Sequence, residues 1–464
     1  MEPEAVGFRG GFPEPEGVAE AYDRGDARRA VEAYRFFYPV VSMEGILRGT
    51  RAAGAVDNES APLLLARPHH VGFTLNSDTP YLGAALDLGL SGPLVVEVPP
   101  GPVVGLVDDH YHRWLVDLGL PGRGAGRGDR VLLLPPGHRE PPEAESAGYE
   151  VVRCGTWHVL CVLRALPLGG DVARANRLLT AVRVYPLGRR EDPPRFEVVN
   201  RDDTPMDTTP LAWEDNLEYW RVLHRVIGAE PPAEEHRPML GTLAELGIEA
   251  GRRFAPEARM ERILTEAARQ GRDGLLVSAF ASRRPDRTVW PDRAWEWAGL
   301  RPENGAFERA GSLDVEARDR WFAQAIVASP AMFRRERGAG SLYWLGLRDG
   351  TGAYLDGGRT YRLRVPLPVP RTLFWSLTAY DAATRSEVPA DQGQAALRSL
   401  FDDLEPAGAA HVDLYLGPAA PPAGAGRWIQ TVPGRGWFAY FRIYGPDDAA
   451  FDGRWRPGDF EALD

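Results

Sequence analysis

Apolar residues near the start of the chain recur every three or four positions. Over Asp26–Leu47 this spacing brings Ala30, Tyr34 and Val41 to one side of a helix. We therefore expect a helix here whose apolar face docks on the rest of the molecule. Pro39 falls inside the pattern and predicts a kink or a shift, because proline removes a backbone hydrogen bond.

After this helix the pattern changes to short apolar runs separated by turn residues, which is typical of strands. The predicted strands are Val71–Leu75, Leu82–Leu88, Leu94–Val98, Val103–Val107, Arg130–Leu134 and Tyr149–Leu163. The block from about residue 69 to residue 166 is therefore expected to be all β.

Helical spacing returns in the middle of the chain, and strand-like runs return in its last third. The predicted helices are Asp171–Val182, Trp213–Ile227, Glu234–Leu246, Pro256–Gly271 and Asp314–Ala328. The predicted strands after them are Leu342–Leu347, Thr360–Val365, Thr372–Tyr380, Val412–Leu416 and Trp437–Tyr444. Two β blocks around a helical middle indicate an α+β protein. They disfavour a doubly wound nucleotide-binding fold, which alternates strands and helices.

The length of 464 residues exceeds what one hydrophobic core supports, so a multi-domain chain is expected. We place boundaries near residues 65, 168 and 338, where the hydrophobic period changes. The units are a leader with the first helix (1–65), an N-terminal β domain (66–168), a mainly helical region (169–338) and a C-terminal β domain (339–464).

Composition excludes several classes of function. The net charge of −11 disfavours binding to nucleic acid or anionic lipid. The chain contains no lysine, which excludes a Walker A lysine, a pyridoxal phosphate Schiff base and a Ser-x-x-Lys nucleophile. Cys154 and Cys161 are too few for a four-cysteine metal site and are expected to be free and buried. With no apolar run of membrane-spanning length and no secretory signal pattern, a cytoplasmic protein is expected.

One polar run suggests a metal site. On a strand, Asp108, His110 and His112 would project to one face, and residues about 6.6 Å apart could share a zinc or iron ion. The same face continues into Trp114, which favours a buried pair of hydrogen-bonded histidines instead. We predict no metal and keep these three residues as the alternative ligand set.

Several motifs resemble a known family. They are Asn76-Ser77-Asp78-Thr79-Pro80-Tyr81, Leu86-Asp87-Leu88, Gly92-Pro93-Leu94-Val95, Leu355-Asp356-Gly357, Phe374-Trp375-Ser376-Leu377-Thr378, Tyr380-Asp381, Trp428-Ile429-Gln430-Thr431 and Arg442-Ile443-Tyr444-Gly445-Pro446. In this order they resemble the paired domains of unknown function DUF1254 and DUF1214. The resemblance implies an N-terminal Ig-like β-sandwich, a helical insert and a C-terminal jelly-roll-like β-sandwich, and it brings no biochemical activity.

The chain also departs from that family. Many members carry an export signal, which this sequence lacks. Arg427 stands where the family pattern leads us to expect Asn, and Ala382-Ala383 replaces a more polar pair. A polar site built from those positions would be altered in this chain.

Three of the four candidate catalytic residues are acids, and two of these acids, Asp78 and Asp391, lie in predicted loops. A partly buried Asp78 at the mouth of a sandwich could be tuned for proton transfer, although residues beside Pro80 commonly form backbone turns instead. Asp87 could be a second acid or the partner of an arginine. The candidate catalytic set is Asp78, Asp87, Asp391 and Tyr380.

The candidate substrate-binding residues combine aromatic side chains with a few polar groups, as small-molecule pockets do. They are Asn76, Tyr81, Trp114, Trp375, Asp381, Arg385, Gln392, Trp428, Gln430, Arg442 and Tyr444. The aromatic members could equally form a sandwich core. Arg442 and Tyr444 share a strand face, and an inward-facing arginine needs a carboxylate partner or an anionic ligand. The loops with Asn76, Asp78 and Asp391 predict a cleft where the two β domains meet.

No familiar nucleophile motif is present. We therefore expect a cofactor-independent enzyme of hydrolase, lyase or isomerase type, using Asp, His, Tyr and Arg on a small molecule. The alternatives are a non-catalytic protein that binds a small molecule or carbohydrate, and a metal-dependent enzyme using the Asp108 set. The expected partner is a small molecule, not nucleic acid or membrane, and homo-oligomers are possible. Two or more pocket acids with shifted pKa values would favour the enzyme, and an apolar pocket without acids would favour the binding protein.

Overall fold

The computed structural model describes residues 6–301, 305–338, 340–422 and 426–463. Helices and strands occupy similar shares of the chain, 28% and 27%, which confirms the predicted α+β class. In these four segments, none of the helices combines the length and the apolar character that crossing a bilayer would require.

The helices are α1 (Pro15–Ala52), α2 (Leu88–Ser91), α3 (Glu143–Ser146), α4 (Val172–Thr180), α5 (Glu218–Ala229), α6 (Arg237–Glu245), α7 (Ala258–Phe280), α8 (Val315–Phe322) and α9 (Pro330–Phe333). Helix α1 is longer than predicted and stays helical through Pro39. Its neighbours Tyr38, Val40 and Val41 are buried in a core shared with α5, α7 and α8. Burial of this face outweighs the roughly 3 kcal/mol that an interior proline costs.

The strands of the first half are β1 (Phe8–Arg9), β2 (Phe12–Pro13), β3 (Ser60–Leu64), β4 (His70–Val71), β5 (Tyr81–Asp87), β6 (Leu94–Val98), β7 (Val103–Asp109), β8 (Trp114–Gly119), β9 (Asp129–Leu134), β10 (Glu150–Arg153), β11 (His158–Ala165), β12 (Arg183–Pro186), β13 (Glu197–Asn200) and β14 (Met206–Asp207). Six of them form one sheet in the order β13-β3-β5-β11-β7-β8, hereafter the large N-terminal sheet. A second sheet has the order β10-β9-β6-β12. Leu86 and Leu163 from the first sheet and Val96 and Leu133 from the second share one buried core.

The predicted strand Val71–Leu75 is wrong beyond its first residue. Strand β4 ends at Val71, and Thr74 adopts a positive φ of 47° that a strand residue does not have. The backbone N–H of Thr74 donates to the carbonyl of Arg385, far away in the sequence. Tertiary contacts therefore convert this apolar run into a loop.

The strands of the second half are β15 (Trp295–Trp297), β16 (Glu308–Arg309), β17 (Ser312–Leu313), β18 (Ser341–Gly346), β19 (Tyr361–Pro366), β20 (Trp375–Asp381), β21 (Ala396–Arg398), β22 (His411–Gly417), β23 (Trp428–Gln430), β24 (Trp437–Tyr444) and β25 (Phe460–Ala462). Nine of them form sheets of order β15-β18-β24-β20-β21 and β23-β22-β19-β25, and β16 pairs with β17. Trp344, Trp375 and Phe441 of the first sheet pack with Leu363 and Leu414 of the second.

The two halves meet over the outer face of the large N-terminal sheet. Side chains alternate between the faces of a strand, so residues on this face point away from the N-terminal core. Ala85 and Leu160 pack on Ile46 of α1. At the end of the sheet, Leu166 packs with Tyr444 of β24. These contacts border the space that forms the candidate site.

Candidate functional site

A cavity of about 500 Å³ lies between the large N-terminal sheet and strands β18 and β24. Helix α1 and residues 325–334 complete its wall. Its size is within the range of sites for small organic ligands, about 300–1000 Å³. The sequence predicted a cleft at this junction.

Most of the cavity wall is apolar. Leu106 and Val162 contribute from the sheet, Ile46 from α1, and Ile326 from the loop after α8. Gly83 of β5 also lies on the wall, and a Cβ added there would meet no atom within 4 Å. The wall is therefore suited to the apolar body of a ligand, with unfilled space beside Gly83.

At one end of the cavity, Tyr444 connects the wall to a buried carboxylate. Its hydroxyl donates to Asp78 Oδ2 at 2.9 Å, and Ser376 Oγ donates to the same oxygen at 2.8 Å. Arg164 donates from Nη2 to the Tyr444 oxygen at 2.9 Å and from Nε to Thr79 Oγ1 at 2.8 Å. Asp78 is fully buried, and within the described residues its Oδ1 has no hydrogen-bond partner.

Burial sets the protonation state of Tyr444. Loss of solvent, followed by the nearby charge of Asp78, raises the pKa of Tyr444 well above its ordinary value, although Arg164 and Arg442 oppose the shift. The phenol is therefore protonated at neutral pH. It can donate its proton to an oxygen of a ligand while accepting a hydrogen bond from Arg164.

Arg442 forms a second polar group on the same wall. It donates from Nη2 to Tyr380 OH at 2.7 Å and to Thr74 O at 3.2 Å, and from Nη1 to Thr378 Oγ1 at 3.0 Å. Its side chain is buried, with the guanidinium carbon 4.8 Å from the centre of the Tyr440 ring. Tyr380, a predicted catalytic residue, thus lies behind the cavity and supports Arg442.

Asn76 and Tyr81 both lie on the cavity wall. Asn76 Oδ1 accepts the backbone N–H of Asp78 at 3.1 Å, and Asn76 Nδ2 donates to Tyr81 OH at 2.7 Å. The turn considered for this motif is therefore present. It holds Asn76 and Tyr81 at the cavity and turns Asp78 toward Tyr444.

Other predicted site residues are used elsewhere in the fold. Asp87 caps α2 by accepting the backbone N–H groups of Gly89 and Leu90, as a short acidic side chain commonly does. Trp375 lies in the C-terminal core, where its indole N–H donates to Glu405 at 2.7 Å. Neither Asp87 nor Trp375 reaches the cavity wall.

The predicted glutamines form a structural pair. The backbone N–H of Gln392 donates to Gln430 Oε1 at 2.8 Å, and the backbone N–H of Gln430 donates to Gln392 Oε1 at 2.7 Å. Gln392 Nε2 also donates to the carbonyl of Trp428. This reciprocal contact ties the loop after β20 to β23, away from the cavity.

Three more predicted residues also lie off the cavity wall. Asp381 forms an ion pair with Arg435, with Arg435 Nη2 at 2.8 Å from Asp381 Oδ1. Trp114 begins β8 with 40% of its surface exposed. Asp391 is exposed on a loop, so the predicted cleft is built without it. Loop position alone had grouped it with Asn76.

Arg385 forms a buried junction between distant parts of the chain. Its Nη2 donates to both carboxylate oxygens of Glu214, at 2.7 and 2.8 Å. Tyr38 OH of α1 donates to Glu214 Oε2 at 3.0 Å, and Arg272 Nε of α7 donates to Oε1 at 2.8 Å. Arg385 and Glu214 are each about 1% exposed. This predicted binding residue therefore has a carboxylate partner within the protein and holds four segments together.

Asp108, His110 and His112, the alternative ligand set, do not share one strand face. Strand β7 ends at Asp109, whose carboxylate accepts the backbone N–H groups of Tyr111 and Arg113 and closes a turn. The turn breaks the two-residue alternation on which the prediction depended.

Each of the three side chains has its own partners. Asp108 accepts the backbone N–H of Ala328 at 3.2 Å. His112 lies with Nδ1 at 2.9 Å from the carbonyl of Pro39 and Nε2 at 2.6 Å from that of Ile326. Burial lowers the pKa of His112 to about 4, so this imidazole is neutral and hydrogen-bonded, as the preferred prediction for the pair had it.

His110 belongs to a different cluster. Its Nδ1 lies 2.9 Å from Glu230 Oε1, and His158 Nδ1 lies 2.6 Å from the same oxygen. Burial opposes ionisation of Glu230, but hydrogen bonds from the two histidines and from the Trp157 amide outweigh it and lower the pKa of Glu230 to about 2. The three side chains are close enough to share a metal ion. The hydrogen bonds of the two histidines with Glu230 already explain why they lie so close together.

The sequence interpretation missed Arg164, Tyr343 and Tyr440, all on the cavity wall. Two signals could have revealed them. Arg164 follows the apolar Leu160 and Val162 on one face of β11, and Tyr440 shares a face with Arg442 because they are two residues apart on β24. No signal in the sequence marks Gly83 as a wall residue, because this role depends on what lies opposite the strand.

Two family models match the chain. The model of DUF1254 matches residues 63–186, and the model of DUF1214 matches residues 340–448. Both are described as protein of unknown function. These matches confirm the resemblance seen in the motifs. No curated protein matches the sequence.

A solved structure with a TM-score above 0.5 shows a similar fold. The VPA0106 protein from Vibrio parahaemolyticus superposes with a TM-score of 0.57 at 16% identity, covering 95% of this chain and 100% of that one. An uncharacterised protein from Burkholderia cenocepacia gives a TM-score of 0.38 at 14% identity, with 97% of each chain covered. At such identity the first similarity supports the fold alone.

Proposed function

Since this chain belongs to the family that joins a DUF1254 domain to a DUF1214 domain, and these domains bring no activity with them, we propose its function from the cavity. The protein binds a mainly apolar small molecule between its two halves and converts it by acid–base chemistry without a cofactor. Tyr444 is the group that exchanges a proton or a hydrogen bond with the ligand.

The observation that carries this proposal is the position of Tyr444. Tyr444 lies on the cavity wall, and its hydroxyl bridges Asp78 and Arg164 at 2.9 Å each. A general acid or base must be within hydrogen-bond reach of the reacting atom. On the cavity wall Tyr444 meets that requirement, whereas Asp78 reaches the ligand only through it.

The supporting residues fit this chemistry. When Tyr444 gives its proton to a ligand oxygen on which negative charge develops, that oxygen is neutralised and the tyrosine oxygen becomes a phenolate. The hydrogen bond from Arg164 Nη2 stabilises this phenolate. Asp78 keeps its hydrogen bond from Ser376 when the Tyr444 hydroxyl turns toward the ligand. It accepts the hydrogen bond of Tyr444 again when the ligand returns the proton to the phenolate. Isomerase, lyase and hydrolase reactions all use such a step.

A second candidate is a non-catalytic binding protein. Among the described residues on the cavity wall, Asp117 is the only carboxylate, and an apolar pocket with few acids favours binding over turnover. The metal-dependent alternative has less support, since Asp108, His110 and His112 have separate partners.

We also propose that the two pairs of sheets are the Ig-like and jelly-roll-like sandwiches of the family.

The test compares Tyr444→Phe with the wild type and with Tyr22→Phe, whose side chain is 65% exposed on α1. Each protein is incubated with a library of apolar acids, alcohols, ketones and esters. Native mass spectrometry detects bound molecules, and chromatography detects products. We expect Tyr444→Phe to bind ligand but to lose about 100-fold or more of the conversion rate, while Tyr22→Phe behaves as wild type.

Binding without turnover in the wild type would favour the non-catalytic candidate. Equal turnover by wild type and Tyr444→Phe would remove the catalytic role of that residue. The whole proposal fails if no member of the library binds in the cavity.

A further inference from the structure

The charges on the cavity wall have an unusual balance for this protein. The chain as a whole carries a net charge of −11. The charged side chains of the described cavity wall are Arg164, Arg334, Arg442 and Asp117. The described wall therefore carries three guanidinium groups and one carboxylate. Its net charge is positive, whereas that of the whole chain is negative.

Arg442 differs from comparably buried arginines. Arg320 and Arg385 are also almost fully buried, and each contacts a carboxylate at 2.7 Å, from Glu296 and Glu214 respectively. Arg442 has no carboxylate within 4 Å in the described part of the chain, and its hydrogen bonds go to hydroxyl and carbonyl oxygens. A buried cation without an anion is costly, which indicates a missing negative charge.

Arg164 points to the same conclusion. Its Nε and Nη2 donate to Thr79 and Tyr444, and neither acceptor is charged. These two hydrogen bonds do not use the N–H groups of Arg164 Nη1, which can therefore donate to a ligand. The charge of Asp78 acts on both Arg164 and Arg442, and that of Glu387 also acts on Arg442. Among the described residues neither carboxylate forms a hydrogen bond with these guanidinium groups. Arg442, which is buried, and Arg164, which is half-buried, therefore both lack a direct anionic partner.

Unused donors accompany the excess charge. Within the described residues, Arg442 Nε and the Tyr440 hydroxyl are buried without a hydrogen-bond partner. Leaving such donors unpaired costs free energy that a ligand oxygen recovers. The charge and the donors lie at one end of the cavity, and the apolar wall extends from there.

We infer that the ligand of this cavity carries a carboxylate, held at the Arg164–Arg442 end, with its apolar body along the large N-terminal sheet. This inference rests on the proposed function, because it names the ligand class of that site. A carboxylate suits a guanidinium, which can donate two parallel hydrogen bonds to it. A phosphate monoester has three acceptor oxygens and up to two charges, and the few free donors suit it less well.

The first experiment needs no variant. Binding of decanoate, 1-decanol and decyl phosphate to the full chain is measured by calorimetry at pH 7. We expect decanoate to bind about 10-fold or more tightly than 1-decanol, since hydrogen bonds to charged groups contribute this much, and more tightly than decyl phosphate. Equal or tighter binding of either competitor would overturn the carboxylate assignment.

Variants then locate the carboxylate. Arg164→Gln is expected to weaken decanoate binding about 10-fold or more and to leave 1-decanol binding unchanged. Arg164→Lys keeps the charge and should recover part of the loss. The control is Arg237→Gln, whose side chain is 81% exposed. Circular dichroism verifies folding, and Arg442→Gln provides an independent test if Arg164→Gln does not fold. Unchanged decanoate binding in a folded variant contradicts the inference.

Failure of the inference can be distinguished from failure of the proposed function. If 1-decanol binds as well as decanoate, and filling the cavity at Gly83 abolishes both, the cavity is the site but the carboxylate assignment is wrong. If filling the cavity changes the binding of neither probe, the site itself is wrong.

Discussion

Two glycines on the cavity border offer a matched test of its shape. Gly83 and Gly105 lie on different strands of the large N-terminal sheet. A Cβ at Gly83 points into open space, whereas a Cβ at Gly105 would overlap the side chain of Leu163 and the carbonyl of Val162. The perturbation is the same substitution at both positions, Gly83→Leu and Gly105→Leu.

The expected effects differ in sign. At Gly83, loss of glycine flexibility in the unfolded chain stabilises by about 0.4–1 kcal/mol, and burial of a leucine side chain by about 1.5–3 kcal/mol. Lost side-chain freedom, about 0.5–1 kcal/mol, reduces the net gain to about 1–3 kcal/mol. At Gly105, overpacking against backbone destabilises by about 1–3 kcal/mol or more.

Guanidinium unfolding followed by tryptophan fluorescence measures the difference. The two variants should lie on opposite sides of the wild type, and Gly83→Leu should lose the stabilisation by decanoate, which is about 2.7 kcal/mol in the wild type at 100 times its Kd. If Gly83→Leu is as unstable as Gly105→Leu, the open space beside Gly83 does not exist and the cavity argument is refuted.

Other predictions concern buried polar groups. Glu214→Gln should lower the free energy of unfolding by about 3–5 kcal/mol, because it leaves the cation of Arg385 without its anion; a change under 1 kcal/mol in denaturant unfolding would contradict this. Burial raises the pKa of Cys154 and Cys161 to about 12, so Ellman's reagent at pH 8 should label neither until the protein unfolds, and rapid native labelling would show that they are accessible. The pKa of Glu230 is lowered to about 2, so its stabilisation is present above pH 4.5 and disappears as the pH falls toward 2. Glu230→Gln should flatten that part of the stability profile, and an unchanged profile would assign the acid sensitivity to other groups.

Helices and strands were predicted well where their formation depends on residues that are neighbours in the sequence. The strand Leu94–Val98 and the strand Trp437–Tyr444 match the structure at both ends. Both are short runs of mainly apolar residues bounded by glycine or proline, and this local pattern was enough to define them. Cys154 and Cys161 are free and buried, as expected. The prediction failed at Val71–Leu75 and at Asp108–His112, because a loop there is fixed by long-range contacts and by a side-chain turn.

The site was predictable only in part, for a related reason. Arg442, Tyr444, Asn76 and Tyr81 were identified from motifs, and they do meet at the cavity. Residue type alone could not show that Arg385 has a partner while Arg442 lacks one, because this depends on a carboxylate far away in the sequence. In the sequence, a buried arginine looks the same whether or not the fold brings a carboxylate to it.

The buried ion pair between Glu214 and Arg385 has a consequence for folding during synthesis. Glu214 leaves the ribosome 171 residues before Arg385, its bidentate partner. Until Arg385 is synthesised, the Glu214 carboxylate can pair only with Arg272. Burying a carboxylate that lacks one of its cationic partners costs free energy. We therefore expect the helical region to stay loosely packed during synthesis and to close only when β20 and the loop after it emerge. A nascent chain that stops before Arg385 should be far more sensitive to protease around α5 than the complete one.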